Sequence, residues 1–448
     1  MRRLFFSWVP LLAVSGCTIR SPQPGLDDQD VRLTILHTAD AHSKLLPYRF
    51  APTQTYVKLG LDPDTLPQSV EEYTVGGADR LAYLLRRERS RAARVIHLDS
   101  GDGYQGAPIF NIWQGEAESR VMTELGVNAQ VIGNHEFDTS AQNFAEKLET
   151  WADYPVLAAN YIFEDETKPW NNTLRRVAQP WTVIDAQGLR VGVVGMANLD
   201  SLTSVTEQGN SLGVIPLETV YAAEIAVEQV RHMADLVVLV THMGPDEDRL
   251  IAENVKHIDV IMGGHLHLAL DPPMVAQDPD GRDVLIVHSN ALLRFLGRID
   301  LVLRKPSDPE LAAEYGFEVE SHKWRLFPID NRVDFEIARP NKSPHEVEAT
   351  KMAVRMRNIL EEYRIAMASI LDFNRTVGCS SADRIERFGE AGGDSPLGNI
   401  VAEAMQTHHR VQTDFALTNA GGIREDLRGR ILDRDDPRAC IQEDGTMA

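Results

Sequence analysis

The stretch AQVIGNHEFD at residues 129–138 decides how this chain of 448 residues is interpreted. Its first part, Ala129–Ile132, predicts a short buried strand, and the glycine that follows lets the backbone turn sharply. Asn134, His135 and Asp138 come directly afterwards, so amide, imidazole and carboxylate groups lie just past the end of a strand. Open parallel sheets place their functional sites at this position. The stretch therefore predicts an α/β fold with a polar site at the carboxyl edge of a sheet.

The same arrangement occurs after four other predicted strands. The ligand-type residues are Asp40 and His42 after Arg32–Leu36, Asp102 after Arg94–Leu98, His242 after Leu236–Val240, and His265 and His267 after Ile258–Met262. Residues two apart in an extended segment point to the same side, so each Asp/His or His/His pair can aim two side chains at one centre. One such cluster alone is more often a turn or a core histidine than a site. Five clusters, each after a strand, predict a common metal site.

The remaining pattern alternates strands with helices, which predicts βαβ units and mostly parallel pairing. Further predicted strands are Val156–Ala159, Leu189–Val194, Asp283–His288, Phe295–Leu303 and Phe317–Phe327. Predicted helices are Asp79–Arg89, Ala117–Leu125, Ala141–Thr150, Thr219–Met233, Asp246–Val255 and Pro344–Ile370. The last helix is interpreted as a linker to a second block that begins near Asp372.

The composition restricts the class of function. A formal net charge of −21 argues against a nucleic-acid polymer as partner, because such proteins need clustered Lys and Arg to displace counterions. Bound divalent ions would nevertheless make the predicted site locally positive, which suits an anionic substrate. Mixed carboxylate, imidazole and amide ligands favour Mn²⁺, Zn²⁺, Fe or Co and suit Ca²⁺ poorly. The metal identity and the oligomeric state stay open.

The N-terminus has the pattern of an export signal. Arg2 and Arg3 precede an apolar run, Leu4–Val14, that is shorter than the roughly 20 residues a membrane span needs. Small residues then lead to Cys17 and resemble a bacterial lipobox, which implies a diacylated Cys17 and attachment to the periplasmic side of a membrane, with the outer membrane as the expected one. Residues 1–17 are interpreted as a lipoprotein signal peptide and 18–30 as a tether. The alternative is an ordinary signal peptide with an incidental cysteine. The other two cysteines, Cys379 and Cys440, could pair in an exported protein.

The five clusters resemble those of the calcineurin-like metallophosphoesterases, and most closely the bacterial 5′-nucleotidase branch. The resemblance implies a four-layer αββα domain at 31–335, a linker helix at 343–370 and a partial α/β substrate domain at 371–448. It also implies that the first ion is held by Asp40, His42 and His267, the second ion by Asn134, His242 and His265, both ions by Asp102, and that the catalytic dyad is His135 with Asp138. One departure is Ala39, which stands where the family usually has Asn.

A looser resemblance covers the C-terminal block. Residues 395–399 and 419–424 are similar to two motifs of the family's substrate domain, which implies that Asn419, Gly422 and Arg424 contact the substrate. Two glycines, Gly392 and Gly393, occupy the neighbourhood where the family usually has an arginine. The family domain also continues further, with aromatic side chains that hold the base, so 371–448 is interpreted as a partial domain.

The resemblance implies dimetal-dependent hydrolysis of phosphate monoesters, first of all nucleoside 5′-monophosphates, at the cell envelope. One alternative is a thiosulfohydrolase-like enzyme for another anion, since the insert 45–75 faintly resembles that branch. The intact motif at 134–138 argues for the nucleotidase side, because the thiosulfohydrolase branch differs there. The other alternative is a surface binding protein with a relict metal site, and the complete ligand set argues against it.

Overall fold

The structure is a computed structural model, and it describes residues 26, 30–67, 70, 72–163, 169–199, 213–371, 384–385, 395–407 and 427–428. The strands in these ranges are β1 Val31–Thr38, β2 Tyr48–Arg49, β3 Thr74–Val75, β4 Val95–Asp99, β5 Ala129–Val131, β6 Val156–Leu157, β7 Tyr161–Phe163, β8 Ala178–Gln179, β9 Trp181–Ala186, β10 Leu189–Met196, β11 Val214–Pro216, β12 Leu236–Thr241, β13 Val260–Gly263, β14 Met274–Gln277, β15 Asp283–His288, β16 Phe295–Arg304, β17 Glu318–Pro328, β18 Arg384–Ile385 and β19 Leu427–Arg428.

The helices of the described residues lie mainly between these strands. They are Gln54–Lys58, Ala78–Arg89, Pro108–Trp113, Glu116–Leu125, Ala141–Trp151, Pro169–Val177, Thr219–Arg231, Pro245–Asn254, Pro309–Tyr315, Asn331–Ala338, Pro344–Ile370 and Pro396–Thr407, with 3-10 turns at Pro63–Thr65 and His135–Phe137. In the part of the chain that the structure describes, no helix is both long and apolar enough to cross a bilayer.

Two mixed sheets form the centre of the fold. The first has the strand order β17-β16-β1-β4-β5-β6-β8, and the second has the order β14-β15-β13-β12-β10-β9. The strands β1, β4, β5, β6 and β8 run parallel, as do β10, β12, β13 and β15. Among the described residues of these sheets, antiparallel pairing is confined to one side of the first sheet, where β16 pairs with β1 and β17, and to the edge strands β9 and β14 of the second. The carboxyl ends of the parallel strands therefore define one edge in each sheet.

The sheets pack face to face and helices cover their outer faces. One apolar core contains side chains of both sheets, such as Ile35, Val131, Val193 and Val238. A second core lies between the first sheet and its helices, and a third lies between the second sheet and the helices Thr219–Arg231 and Pro245–Asn254. This is the four-layer αββα arrangement, so the predicted fold class is confirmed.

Three edge strands of the two central sheets, β8, β9 and β14, were absent from the sequence prediction, and one predicted strand is shorter than expected. β9 and β14 pair antiparallel at opposite edges of the second sheet; β9 lacks strict alternation of buried and exposed side chains, and β14 has only four residues. The predicted strand Val156–Ala159 ends at Leu157. Short edge strands have a weak sequence pattern because a neighbour covers only one side of them.

The helix Pro344–Ile370, named the long helix below, has the predicted bounds and packs along the helix Ala78–Arg89. Ser343 caps its first turn and forms a reciprocal capping box with Glu346. Its buried face includes Ala353 and Met356, which belong to the second core. Arg357 also binds the buried carboxylate of Asp79 through two nitrogens at 2.9 and 2.8 Å. The long helix is thus part of the described αββα unit, while the proposed domain boundaries stay predictions.

We expect Met356→Ala to lower the free energy of unfolding by about 2–5 kcal/mol, because it leaves a cavity under the long helix. Met356 is fully buried, whereas Val354, two residues earlier, is 45% exposed. Val354→Ala is the matched control and should change stability by less than about 0.5 kcal/mol. Urea unfolding followed by circular dichroism compares the two variants. Equal midpoints would contradict the packing described here.

Candidate active site

The five predicted clusters meet where the carboxyl edges of the two sheets face each other. The loop after β1 is joined to the loop after β4 by main-chain hydrogen bonds from Asp40 N to Gly101 O and from His42 N to Asp102 O, both 2.9 Å. His265 N, after β13, donates to the carboxylate oxygens of Asp40 at 3.1 and 3.2 Å. The loops of both sheets are therefore fixed to one another at this point.

The first group of donor atoms comes from Asp40, His42 and His267. The Nε2 atoms of His42 and His267 are 2.9 Å apart, and His267 Nε2 lies 3.5 Å from Asp40 Oδ1. All three donor atoms lie within 4.8 Å of one another. Two imidazole nitrogens that converge beside a buried carboxylate fit a shared cation.

The second group of donor atoms comes from Asn134, His242 and His265. Asn134 Oδ1 lies 3.2 Å from His242 Nε2 and 3.0 Å from His265 Nδ1. Asp102 lies between the two groups, with Oδ2 at 3.1 Å from His242 Nε2 and 3.7 Å from His42 Nε2. The structure thus brings together all seven residues predicted as ligands, and their nitrogen and oxygen donors fit two divalent ions.

Hydrogen bonds to the other ring nitrogen orient two of these histidines. His42 Nδ1 lies 3.1 Å from the carbonyl oxygen of Gln105, and His242 Nδ1 lies 2.5 Å from that of Ser100. A carbonyl accepts only from an N–H group, so Nδ1 is protonated and donates. Nε2 of both rings is then the nitrogen that faces the site, and it is the atom that would bind a metal ion once any proton on it is displaced.

Burial and mutual charge shift the pKa of the central groups. Burial raises the pKa of Asp40 to about 8, although the charge of His242 opposes this. Burial acts in the same direction on Asp102, but the charge and hydrogen bond of His242 hold its pKa well below the usual range. For His242, burial lowers the pKa, and the two carboxylates outweigh it and raise the pKa to about 10. Such closely coupled charges mark a site that a cation would stabilise.

The backbone at the ligands is strained. Five of the seven ligand-type residues have positive φ, namely Asp40 (50°), His42 (46°), Asp102 (53°), His265 (82°) and His267 (57°). Residues other than glycine rarely adopt this left-handed region, and each instance costs about 1–3 kcal/mol. The packing of the two sheets must hold these conformations, which aim the side chains at the centre.

The predicted dyad lies beside the ligands. His135 Nδ1 is 2.8 Å from Asp138 Oδ2; His135 begins the 3-10 turn after β5, and Asp138 is the C-cap that follows it. The main-chain N–H of His135 donates to Asp102 Oδ1 at 2.9 Å, and its ring centroid is 5.2 Å from that of His42. The His135 side chain is 19% exposed, so a ligand at the site can contact it.

Glu136 is a site residue to which the sequence analysis gave no role. Its buried carboxylate accepts hydrogen bonds from Gly103 N and Gly133 N, both at 2.8 Å, and from Asp102 N at 3.2 Å. It thereby ties the loop after β4 to the loop after β5 and fixes the main chain of Asp102. Its position between His135 and Phe137 in the decisive stretch was the available signal.

We expect Gly133→Ala to weaken metal binding about 10- to 100-fold, the range for lost support around a ligand. A Cβ on Gly133 would lie 2.2 Å from Asp102 Oδ1 and 2.5 Å from Asp102 N, so the carboxylate must move. Gly103→Ala is the control, because its Cβ would meet only ordinary contacts at 3.7 Å. Metal titration of both variants checks this. Wild-type affinity in Gly133→Ala would contradict the placement of Asp102.

Other predicted residues lie outside the described residues. They are Cys17, Asn419, Gly422 and Arg424, together with Cys379 and Cys440. Their predicted roles in lipidation, substrate contact and disulfide pairing stay predictions.

Comparison with known families agrees with the fold. A family model described as calcineurin-like phosphoesterase matches residues 33–269, which is more than half of the chain. A second model, described as 5′-nucleotidase, C-terminal domain, matches residues 376–435. The chain belongs to the calcineurin-like phosphoesterases.

Individual relatives point to one branch of this family. The chain is similar to the 5′-nucleotidase of Bos taurus, with 26% identity over 68% of this chain and 54% of the relative. It is also similar to that of Vibrio vulnificus, with 24% identity over 95% of this chain and 74% of the relative. The solved structure of a 5′-nucleotidase precursor from Thermus thermophilus matches with a TM-score of 0.68 and 26% identity, over 89% of this chain and 71% of that one. The chain spans about half the length of the bovine protein.

Proposed function

We propose that this protein is a dimetal-dependent hydrolase of phosphate monoesters. The observation that carries the proposal is the convergence of seven nitrogen and oxygen donors around Asp102 beside the His135–Asp138 pair. Membership in the calcineurin-like phosphoesterases supports the same reaction class.

Each residue has a distinct role in this proposal. Asp40, His42 and His267 would hold one ion, Asn134, His242 and His265 would hold the other, and Asp102 would be shared by the two. Bound divalent ions in such a site polarise the phosphoryl group and allow water to attack at neutral pH. The complete donor set argues against the alternative of a relict metal site.

The dyad handles the proton of the leaving group. His135 donates from Nδ1 to Asp138 Oδ2, which fixes the ring and stabilises its protonated form. The ring then stabilises negative charge on the phosphoryl group, or transfers its Nε2 proton to the oxygen of the leaving alcohol. Asp138 acts as the partner that orients the imidazole.

We infer nucleoside 5′-monophosphates as the first substrates to test, because the relatives are named 5′-nucleotidases. Asn419, Gly422 and Arg424 are the proposed substrate contacts, since they fall within the match to the C-terminal domain model. We also propose that Cys17 carries lipid and attaches the protein to the periplasmic side of the envelope, with the outer membrane as the expected membrane. The lipobox-like sequence before Cys17 supports this.

The test combines metal content with a substrate panel. Purified protein is stripped with a chelator, reloaded separately with Mn²⁺, Zn²⁺, Fe²⁺ and Co²⁺, and assayed with adenosine monophosphate, an aryl phosphate and an S-sulfonate. The proposal expects about two ions per chain and phosphate release that depends on them. Release of sulfate without phosphate would favour the thiosulfohydrolase-like alternative. Bound metal without turnover of any substrate would favour a binding protein.

A further inference from the structure

A buried carboxylate outside the ligand set lies behind three of the metal-binding histidines. Asp248 is in the first turn of the helix Pro245–Asn254 and is fully buried. Its Oδ1 accepts a hydrogen bond from Thr241 Oγ1 at 2.5 Å, and its Oδ2 lies 2.8 Å from His288 Nε2. Thr241 ends β12 and immediately precedes His242, so Asp248 holds the residue from which that ligand projects.

The turn that carries His265 packs directly on the same pair. A Cβ on Gly263 would lie 2.2 Å from both Asp248 Oδ2 and His288 Nε2, so the main chain there rests against the pair. A Cβ on Gly264 would lie 3.1 Å from both Asp40 Oδ2 and His242 Nδ1. Only the main chain of these two glycines therefore lies between the Asp248–His288 pair and the metal-binding side chains.

The end of β15 extends this support to the third histidine. His288 is the last residue of β15, and Asn290 follows two residues later. Asn290 Nδ2 donates to the carbonyl oxygen of His267 at 2.8 Å, and Asn290 N donates to that of Leu268 at 2.8 Å. One carboxylate thus connects the strand ends that lead to His242, His265 and His267.

We propose that Asp248, through Thr241 and His288, positions the histidine ligands of the metal centre, and that it does so without contacting metal or substrate. The inference rests on the proposed dimetal function. Groups that orient ligands from behind typically contribute about 10- to 100-fold to metal affinity. The effect is largest for the ion proposed to be held by Asn134, His242 and His265. Two of these three ligands, His242 and His265, directly follow segments that pack on Asp248.

The experiment compares Asp248→Asn with Asp259→Asn. Asparagine keeps the shape at both positions but has one oxygen acceptor instead of two, so one of the partners of Asp248 loses its acceptor. Asp259 is equally buried, accepts from Val237 N at 2.8 Å and lies beside Arg231 and Arg282. It precedes β13 at the amino end of the same strands, opposite the site, which makes it a matched structural control.

Calorimetric titration of the chelator-stripped chains with Mn²⁺ or Zn²⁺ gives dissociation constants that do not depend on activity. We expect Asp248→Asn to weaken one of the two binding events about 10- to 100-fold and Asp259→Asn to leave both events unchanged. The rise in melting temperature on metal addition should shrink for Asp248→Asn alone, because ligand-induced stabilisation follows affinity. Thr241→Val removes only the hydroxyl donor and should give a smaller loss in the same direction, which covers the case that Asp248→Asn does not fold.

Unchanged metal affinity in Asp248→Asn or, if that variant does not fold, in Thr241→Val would overturn the inference. Equal losses in Asp248→Asn and Asp259→Asn would also overturn it, because they would indicate a general effect on stability. Wild-type protein that binds fewer than two ions would instead contradict the proposed function, so the two failures are distinguishable.

Discussion

Replacing Asp102 with alanine is expected to abolish measurable hydrolysis and to leave at most one tightly bound ion per chain. The carboxylate is fully buried between the two donor groups, 3.1 Å from His242 Nε2 and 3.7 Å from His42 Nε2. Its removal leaves neighbouring imidazoles without their negative partner, and it deletes a ligand that both proposed ions share. Loss of a shared ligand weakens both sites, whereas loss of any other ligand weakens one.

The measurement is metal content by atomic emission after gel filtration, together with phosphate release from adenosine monophosphate. Asp99→Asn is the matched control, because Asp99 ends β4 three residues before Asp102 and is equally buried. Its carboxylate accepts hydrogen bonds from Thr38, Gln130 and Gly101, and in the described residues it has no hydrogen bond to the residues predicted as metal ligands. It should retain two ions. Two tightly bound ions in Asp102→Ala would contradict the proposal that Asp102 is a ligand shared by both ions.

The sequence predicted the parts of the fold that depend on strong local patterns. The bounds of the long helix were correct to the residue, because a proline, a capping box and a long apolar period coincide there. The parallel strands before each cluster were found because they are continuous apolar runs buried on both faces. The clusters converge because parallel strands present their carboxyl ends at the same edge of a sheet. A residue that directly follows such a strand in the sequence could therefore be placed at that edge.

The geometry that makes these residues a site was not predictable in the same way. The positive φ angles of Asp40, His42 and Asp102 occur where main-chain hydrogen bonds join the loop after β1 to the loop after β4, and the sequence analysis identified no local signal for them. Two of the three amide hydrogen bonds to Glu136, those from Asp102 and Gly103, join loops more than thirty residues apart. The Asp248–His288 contact spans 40 residues and three strands, so only the folded chain reveals it.

Replacing His135 with asparagine is expected to preserve both ions and to lower kcat for adenosine monophosphate by about 10²–10⁴-fold, the usual contribution of a general acid or base. Its ring is oriented by Asp138 Oδ2 at 2.8 Å, and His135 approaches Asp102 through its main-chain N–H, which asparagine retains. The metal-holding carboxylate therefore keeps its hydrogen bond while the proton donor is lost.

An aryl phosphate with an acidic phenol as leaving group separates proton donation from other roles of His135. That leaving group departs without protonation, so we expect its kcat to fall much less in His135→Asn than the kcat for adenosine monophosphate. A dyad that only stabilises phosphoryl charge would lower both rates equally, because the phosphoryl group is the same in the two substrates. Asp138→Asn should shift both rates in the same direction by a smaller factor, since the ring remains but loses the anion that holds its proton. Equal, wild-type rates for both substrates in His135→Asn would place the dyad outside the reaction, and the proton would then have to reach the leaving oxygen from solvent.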